Sequence, residues 1–156
     1  MMISSFRINS PEWADRVVFP LTQVETRETR MGTSRAIING IYDQVNLDHF
    51  SDVIVAKVDL ENPDGQELNW LLMGTVVLWN YDGSKQYAEA RLLYDANIEL
   101  EKVRIYLNDA DNSGITLFAG LTTTRDETVT LACNTYRGGA FGARIVALSV
   151  DSLEFQ

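Results

Sequence analysis

A spacing of two residues between apolar side chains, which begins near residue 51, restricts this chain to few folds. In "DVIVAKVDL" apolar side chains occupy every second position, at Ile54, Ala56, Val58 and Leu60. Successive side chains of a β-strand point to opposite faces, so this spacing predicts a strand with one buried face.

Later segments repeat the pattern, with turn-forming residues between them. The apolar run "NWLLMGTVVLWNY" predicts a central strand, with Gly74 at a bulge or a close approach. "DGS" at 82–84 predicts a hairpin turn. "KQYAEARLLYD" has helix-favouring residues, but its alternation between turns favours a strand. "VTLAC" places Val129, Leu131 and Cys133 on one inward face. At least seven such strands follow one another, which predicts an all-β protein with two antiparallel sheets, a β-sandwich or jelly roll.

The first 50 residues are less regular. Ser10 followed by Pro11 predicts a single helical turn, and Pro20 confines any strand there to a sheet edge. Residues 40–50 are predicted to be a loop or a short turn. We expect residues 1–50 to supply an N-terminal arm and the first strands of a single domain whose jelly-roll body spans 51–156.

Charge excludes some partners. The chain of 156 residues has a formal net charge of -9, which disfavours binding to nucleic acid or to an anionic membrane surface. Residues 1–40 contain five Arg and four acidic residues. Either this arm lies against an acidic body, or the composition of so short a segment is biased by chance. No secretion signal is visible at the N-terminus, and the compartment stays open.

Few residues in the chain are suited to catalysis. His49 is the only histidine, whereas catalytic triads, zinc sites and the metal sites of cupins need further partners. Cys133 is the only cysteine, which excludes an internal disulfide, and its place in an apolar alternation predicts an inert core residue. We therefore expect no catalytic residues and no cofactor.

Two loops are candidate binding sites. "RGGAFGA" lacks the Lys-Ser/Thr of a phosphate-binding loop and is predicted to be a flexible loop before the last strand, with Arg137 and Phe141 available to a partner.

The second loop is "NDADNSGITLF". Asp109, Asp111 and Ser113 alternate before Gly114, as at the start of a calcium-binding loop. The closing glutamate of an EF-hand is replaced by Gly120, so a turn is favoured, and a looser calcium site at Asp109 and Asp111 stays open.

Two long segments carry a family resemblance. "WLLMGTVVLWNYDGSKQYAEARLLYD" and "VTLACNTYRGGAFGARIVALSVDSL" resemble the C1q/TNF-like jelly-roll superfamily, in particular its bacterial and phage-associated members. The matching residues are Val129, Leu131 and Cys133 in one strand and Ala147, Val150 and Leu153 in the last. The resemblance implies a ten-strand jelly roll, a compact trimer, a role in recognition or assembly and, in some members, calcium near the trimer axis. The collagen-like repeats of many members are absent from this sequence.

Three functions follow from these observations. The first is a non-catalytic assembly or recognition module that forms a homotrimer. The alternative is a carbohydrate-binding, lectin-like module, for which Trp70 and Trp79 are candidate stacking residues, although their apolar strand favours the core. The third is a hydrolase that uses a pair of carboxylates, but the sequence does not identify such a pair among its 22 acidic residues.

Overall fold

The computed structural model describes residues 27–31, 34–41, 43–95 and 97–151. The predicted helical turn at Ser10 and the strand near Pro20 lie outside these residues, as does Leu153. The strands are β1 (Arg27–Met31), β2 (Ser34–Ile41), β3 (Val45–Asp48), β4 (Val53–Leu60), β5 (Leu68–Asn80), β6 (Gln86–Tyr94), β7 (Ile98–Leu107), β8 (Asn112–Thr123), β9 (Glu127–Thr135) and β10 (Arg137–Val150). In this part of the chain no helix is long and apolar enough to cross a membrane.

The strands form two packed antiparallel sheets. The six-stranded sheet has the order β1-β2-β10-β5-β8, with β3 also paired to β10, and the four-stranded sheet has the order β4-β9-β6-β7. Partners are nested along the chain: β2 pairs with β10, β4 with β9, β5 with β8, and β6 with β7. This nesting produces a jelly roll, so the predicted fold class is confirmed.

The core lies between the sheets, where the predicted alternation places it. Val129, Leu131 and Cys133 of β9 are all 0% exposed. Gly74 marks a close approach and not a bulge, because a Cβ atom there would lie 3.0 Å from Cδ2 of Leu92 in the opposite sheet. Trp70 is also fully buried, which confirms its core placement and removes it as a residue that stacks on a ligand.

Strand β4 departs from the predicted face. Ile54 is 59% exposed, whereas Val55 is fully buried. A β-bulge between Ile54 and Ala56 causes the difference, since one extra residue on one strand moves the next side chains to the other face. The prediction is correct from Ala56 onward.

Two turn predictions also need correction. Residues 82–84 do reverse the chain in a bend, where Gly83 has a φ of 74°, but they do not close a hairpin. They connect β5 in one sheet with β6 in the other, because β5 pairs with β8 and β10. Residues 40–50, predicted as a loop or turn, contain strand β3.

Candidate functional site

The acidic loop between β7 and β8 is held in place by its own carboxylates. Oδ2 of Asp111 accepts hydrogen bonds from the backbone N–H of Asn108 at 3.2 Å and from its side-chain amide at 2.8 Å. Oδ1 of Asp109 accepts one from the N–H of Gly83 at 3.0 Å, and Ala110 has the left-handed φ of 60° typical of a tight turn. In the described ranges no three His, Cys, Asp or Glu residues are grouped to hold a metal ion. A looser calcium site at Asp109 and Asp111 stays the untested alternative to a plain turn.

The glycine-rich stretch predicted as a flexible loop is part of strand β10. The strand begins at Arg137 and continues through Phe141 to a β-bulge, where Gly142 has a φ of 60°. The glycines allow β10 to pack directly against the indole ring of Trp79, because a Cβ atom at Gly139 would overlap that ring. Arg137 and Phe141 therefore sit on a fixed sheet, both exposed to solvent, and no longer on a mobile loop.

The outer face of the six-stranded sheet is apolar. Strand register places one outward residue from each of four strands in a row: Ile38, Val146, Met73 and Phe118. A second row lies beside it: Ala36, Leu148, Leu71 and Gly120. We call these two rows the apolar face. Phe118 is 60% exposed there, and Leu71 is 39% exposed. Contiguous exposed apolar surface of this kind marks interaction sites in soluble proteins.

Three strands of this sheet, β5, β8 and β10, contain few charged residues. Neither β5 nor β8 contains a charged residue, although 22% of the chain is charged. Strand β10 contains only Arg137 and Arg144, so none of the 22 acids lies in the three strands that form most of the apolar face. Depletion of charge is typical of the centre of a protein–protein interface.

Sequence reasoning missed this face, although a signal was present. A strand that is buried on one side has a sequence in which apolar and polar residues alternate, whereas β5 is apolar at both faces over most of its length. That continuity indicates either burial on both sides or an outer surface that a partner covers.

Ion pairs cross the outer face of the four-stranded sheet. The Nη2 atom of Arg104 lies 2.7 Å from Oε2 of the buried Glu89, and Arg91 pairs with Asp52. Burial opposes ionisation of Asp52, but a hydrogen bond from Asn134 and the charge of Arg91 outweigh it and lower its pKa. Asp52 is therefore held as a carboxylate and not as the proton donor that a glycosidase requires.

Aromatic side chains cluster at one end of the same sheet. Phe50 stacks on Tyr87 with ring centroids 4.4 Å apart, and the guanidinium of Arg104 lies 4.5 Å from the Tyr87 centroid. Tyr106 is opposite Tyr87 in register and is 65% exposed. His49 and Phe50 both have a φ of 54°, an uncommon backbone conformation for such residues that fixes where Phe50 points.

The single cysteine and the single histidine of the chain differ in burial. Cys133 is fully buried, and burial, together with the charge of Asp52, raises the pKa of its thiol to about 12. His49 lies on an exposed turn, where its Nε2 atom is 3.3 Å from Oδ2 of Asp48. The predicted core placement of Cys133 is therefore confirmed, and His49 is not positioned to activate it.

Comparisons with known proteins concern the fold alone. The sequence matches no protein-family model and no curated protein. One similar solved structure is that of infectious bursal disease virus, Gx strain, with 7% identity and a TM-score of 0.43 over 76% of this chain and 33% of that chain. Another is arabinose-bound MgGH51 α-L-arabinofuranosidase, with 7% identity and a TM-score of 0.38 over 80% of this chain and 22% of that chain. The chain thus spans a third or less of the structures that it matches.

Proposed function

We propose that the protein is a non-catalytic assembly module, a jelly-roll subunit of the C1q/TNF-like type that forms a homotrimer through its apolar face. The observation that carries this proposal is the absence of Asp and Glu from β5, β8 and β10 in a chain with a formal net charge of -9.

The charge distribution favours a second copy as the partner. In a cyclic trimer the same residues of all three copies approach one another near the symmetry axis, so acids placed there would meet like charges at short distance. Copies of an acidic protein also repel one another in general. Association is then favourable only through a surface without acids, where burial of Phe118, Leu71 and Leu148 supplies the driving force.

The edge of the sheet supports the same partner. β8 is the terminal strand of the six-stranded sheet and contains neither proline nor charge. No further strand pairs with it among the described residues. Long uncharged edge strands promote association unless they are covered, so β8 adds an unpaired edge beside the apolar face.

Light scattering coupled to size exclusion tests the proposal. The wild type is expected at three times the 17.5 kDa monomer mass, and Phe118→Glu is expected to be monomeric because it places a charge on the apolar face. Tyr106→Glu is the matched control, since Tyr106 is equally exposed but lies on the other sheet. A 17.5 kDa wild type at all concentrations contradicts the proposal. So does a Phe118→Glu variant that associates as the control does.

The aromatic cluster supports carbohydrate binding as a second candidate. An exposed ring such as Tyr106, with Lys85 5.6 Å from its centroid, can stack on the apolar face of a sugar. A glycan array measured with and without calcium tests this function, and a Tyr106→Ala variant separates specific from background signal. Absence of binding to all glycans would remove the candidate.

A further inference from the structure

Three steps of the chain place a glycine directly after an asparagine or an aspartate: Asn39–Gly40, Asp64–Gly65 and Asp82–Gly83. Glycine lacks a Cβ atom, so its backbone nitrogen can approach the side-chain carbonyl carbon of the preceding residue. Bond formation between these atoms closes a succinimide ring, through which aspartate converts to isoaspartate. The structure restrains the three steps to different degrees, so their reactivities should differ.

The Asn39–Gly40 step lies inside strand β2 and is held on both sides. The Nδ2 atom of Asn39 donates to the carbonyl oxygen of Lys57 at 2.6 Å. Gly40 is opposite Arg144 in the ladder with β10, and a Cβ atom on Gly40 would lie 2.8 Å from the carbonyl oxygen of Ala143. Ring closure there requires the side chain to leave Lys57 and a closely packed strand to move.

The Asp82–Gly83 step has both of its reacting groups engaged. Oδ2 of Asp82 accepts hydrogen bonds from Oγ of Ser84 and from Nε2 of Gln86, each at 2.9 Å. The nitrogen of Gly83, which would have to attack, donates instead to Oδ1 of Asp109 at 3.0 Å. Both the carboxylate and the nitrogen must therefore be released before a ring can form.

The Asp64–Gly65 step is much less restrained. Both residues are exposed on the turn between β4 and β5, and the carboxylate of Asp64 has no hydrogen bond or ion pair with the described residues. The nitrogen of Gly65 makes one long hydrogen bond, to the carbonyl oxygen of Asn62 at 3.3 Å. Beyond its chain neighbours, the atom nearest to the Cβ position of Gly65 is the carbonyl oxygen of Thr124 at 3.7 Å, so the turn has room to change shape.

We propose that Asp64 is a modification site, at which the folded protein forms isoaspartate without an enzyme because the fold leaves the reacting groups unrestrained. The nitrogen of Gly65 bonds to Cγ of Asp64, and the hydroxyl of the protonated carboxyl leaves with the N–H proton as water. Water then adds to the ring. Cleavage of the bond to Cγ restores aspartate, whereas cleavage at the main-chain carbonyl carbon gives isoaspartate, in which the backbone runs through Cβ and Cγ.

Peptide mapping of the whole chain after incubation tests the assignment. The folded protein is kept in water labelled with heavy oxygen, so that each ring opening inserts one labelled atom, and it is then digested in ordinary water. Chromatography with mass spectrometry should find isoaspartate and the label in the peptide that contains Asp64. Conversion at Asp82 should be at least about tenfold slower, because it requires release of hydrogen bonds to a charged group. Equal rates at the two positions, or no conversion at Asp64, would overturn the proposal.

Unfolding separates the effect of the fold from that of the local sequence. In concentrated urea the contacts of Asp82 and Gly83 are lost, so Asp64 and Asp82 should convert at similar rates. A difference that persists in urea would mean that neighbouring residues set the rates, which contradicts the proposal. Asp64→Glu keeps the charge but would need a larger ring, so conversion at this position should disappear in the folded protein.

A variant without the three hydrogen-bond partners tests why the other Asp-Gly step is protected. It combines Ser84→Ala, Gln86→Ala and Asp109→Ala, and conversion at Asp82 should rise at least about tenfold. Asn39 is the internal control, because it should stay intact as long as the variant is folded. Conversion at Asp82 that does not rise while Asn39 stays intact would contradict the explanation.

Discussion

Leu131 packs in the core between the two sheets, so Leu131→Ala tests the assignment of the core directly. The residue is fully buried and stands between Ala56 and Leu92 in strand register. Across the core its Cδ1 atom is 3.5 Å from the position that a Cβ atom on Gly74 would take. Because a glycine faces it, no large side chain opposite Leu131 can relax into the space.

The expected loss therefore lies in the upper part of the range for large-to-small core substitutions, about 3–5 kcal/mol in the free energy of unfolding. For a domain of this size each kcal/mol moves Tm by roughly 2–4 °C, so Tm should fall by roughly 10 °C. Urea and thermal unfolding measure the change. Protein concentration must be equal for all variants, because assembly makes stability depend on concentration.

A double-mutant cycle with Gly74→Ala checks the packing. Alone, Gly74→Ala places a Cβ atom 3.0 Å from Cδ2 of Leu92 and should cost about 1–3 kcal/mol through overpacking. Combined with Leu131→Ala, the added methyl fills part of the cavity and Leu92 can move. The two losses should then fall short of additivity by at least about 0.5 kcal/mol. Strict additivity, or a midpoint that Leu131→Ala barely changes, would refute the assigned contact.

Three further predictions concern single groups. Cys133 should resist an Ellman-type reagent in the native protein and react after unfolding, because it is fully buried and its pKa is raised to about 12; rapid native labelling would show an accessible thiol. Calorimetric titration with calcium should give no heat, or the same weak heat for wild type and the Asp109→Asn, Asp111→Asn double variant; micromolar binding lost in that variant would establish a calcium site. The lowered pKa of Asp52 means that its carboxylate stabilises the folded state above the unfolded pKa, near 3.8, and that this contribution is lost as pH falls through the folded pKa. Asp52→Asn should therefore lower the urea midpoint near pH 7 and have much less effect near pH 2, and an equal loss at both would mean that the ionised carboxylate, with its hydrogen bond from Asn134 and its pairing with Arg91, is not the cause.

The alternation of apolar and polar residues predicts buried positions best in strands that run without interruption. The inward residues of β9 and β6, such as Leu131 and Leu92, follow from period-two spacing, although both strands also bury residues of their outer faces. In β4 the same rule placed Ile54 inside, and a single bulged residue reversed it. A bulge depends on how the partner strand β9 is aligned, which local spacing does not contain.

The candidate sites were less predictable than the core. The turn at Asp109 and Asp111 was expected from its turn-forming residues, and the carboxylates do hold it. The stretch with Arg137 and Phe141 was expected to be a loop because of its glycines, but these residues serve close packing within a strand. Glycine has both uses, and only its neighbours in space distinguish them.

The sequence by itself determined an all-β chain, the inward residues of most strands and the turns between them, because each depends on residues a few positions apart. Tertiary structure alone decided that the turn at Gly83 connects two sheets, and that four strands present their uncharged sides together as the apolar face. It also brings Glu61, Asp95 and Asp126, which are far apart in the chain, to one open groove beside β4. The physical reason is that strands pair through backbone groups common to all residues. The choice of partner therefore follows from how the whole chain buries its apolar surface, and not from any local pattern.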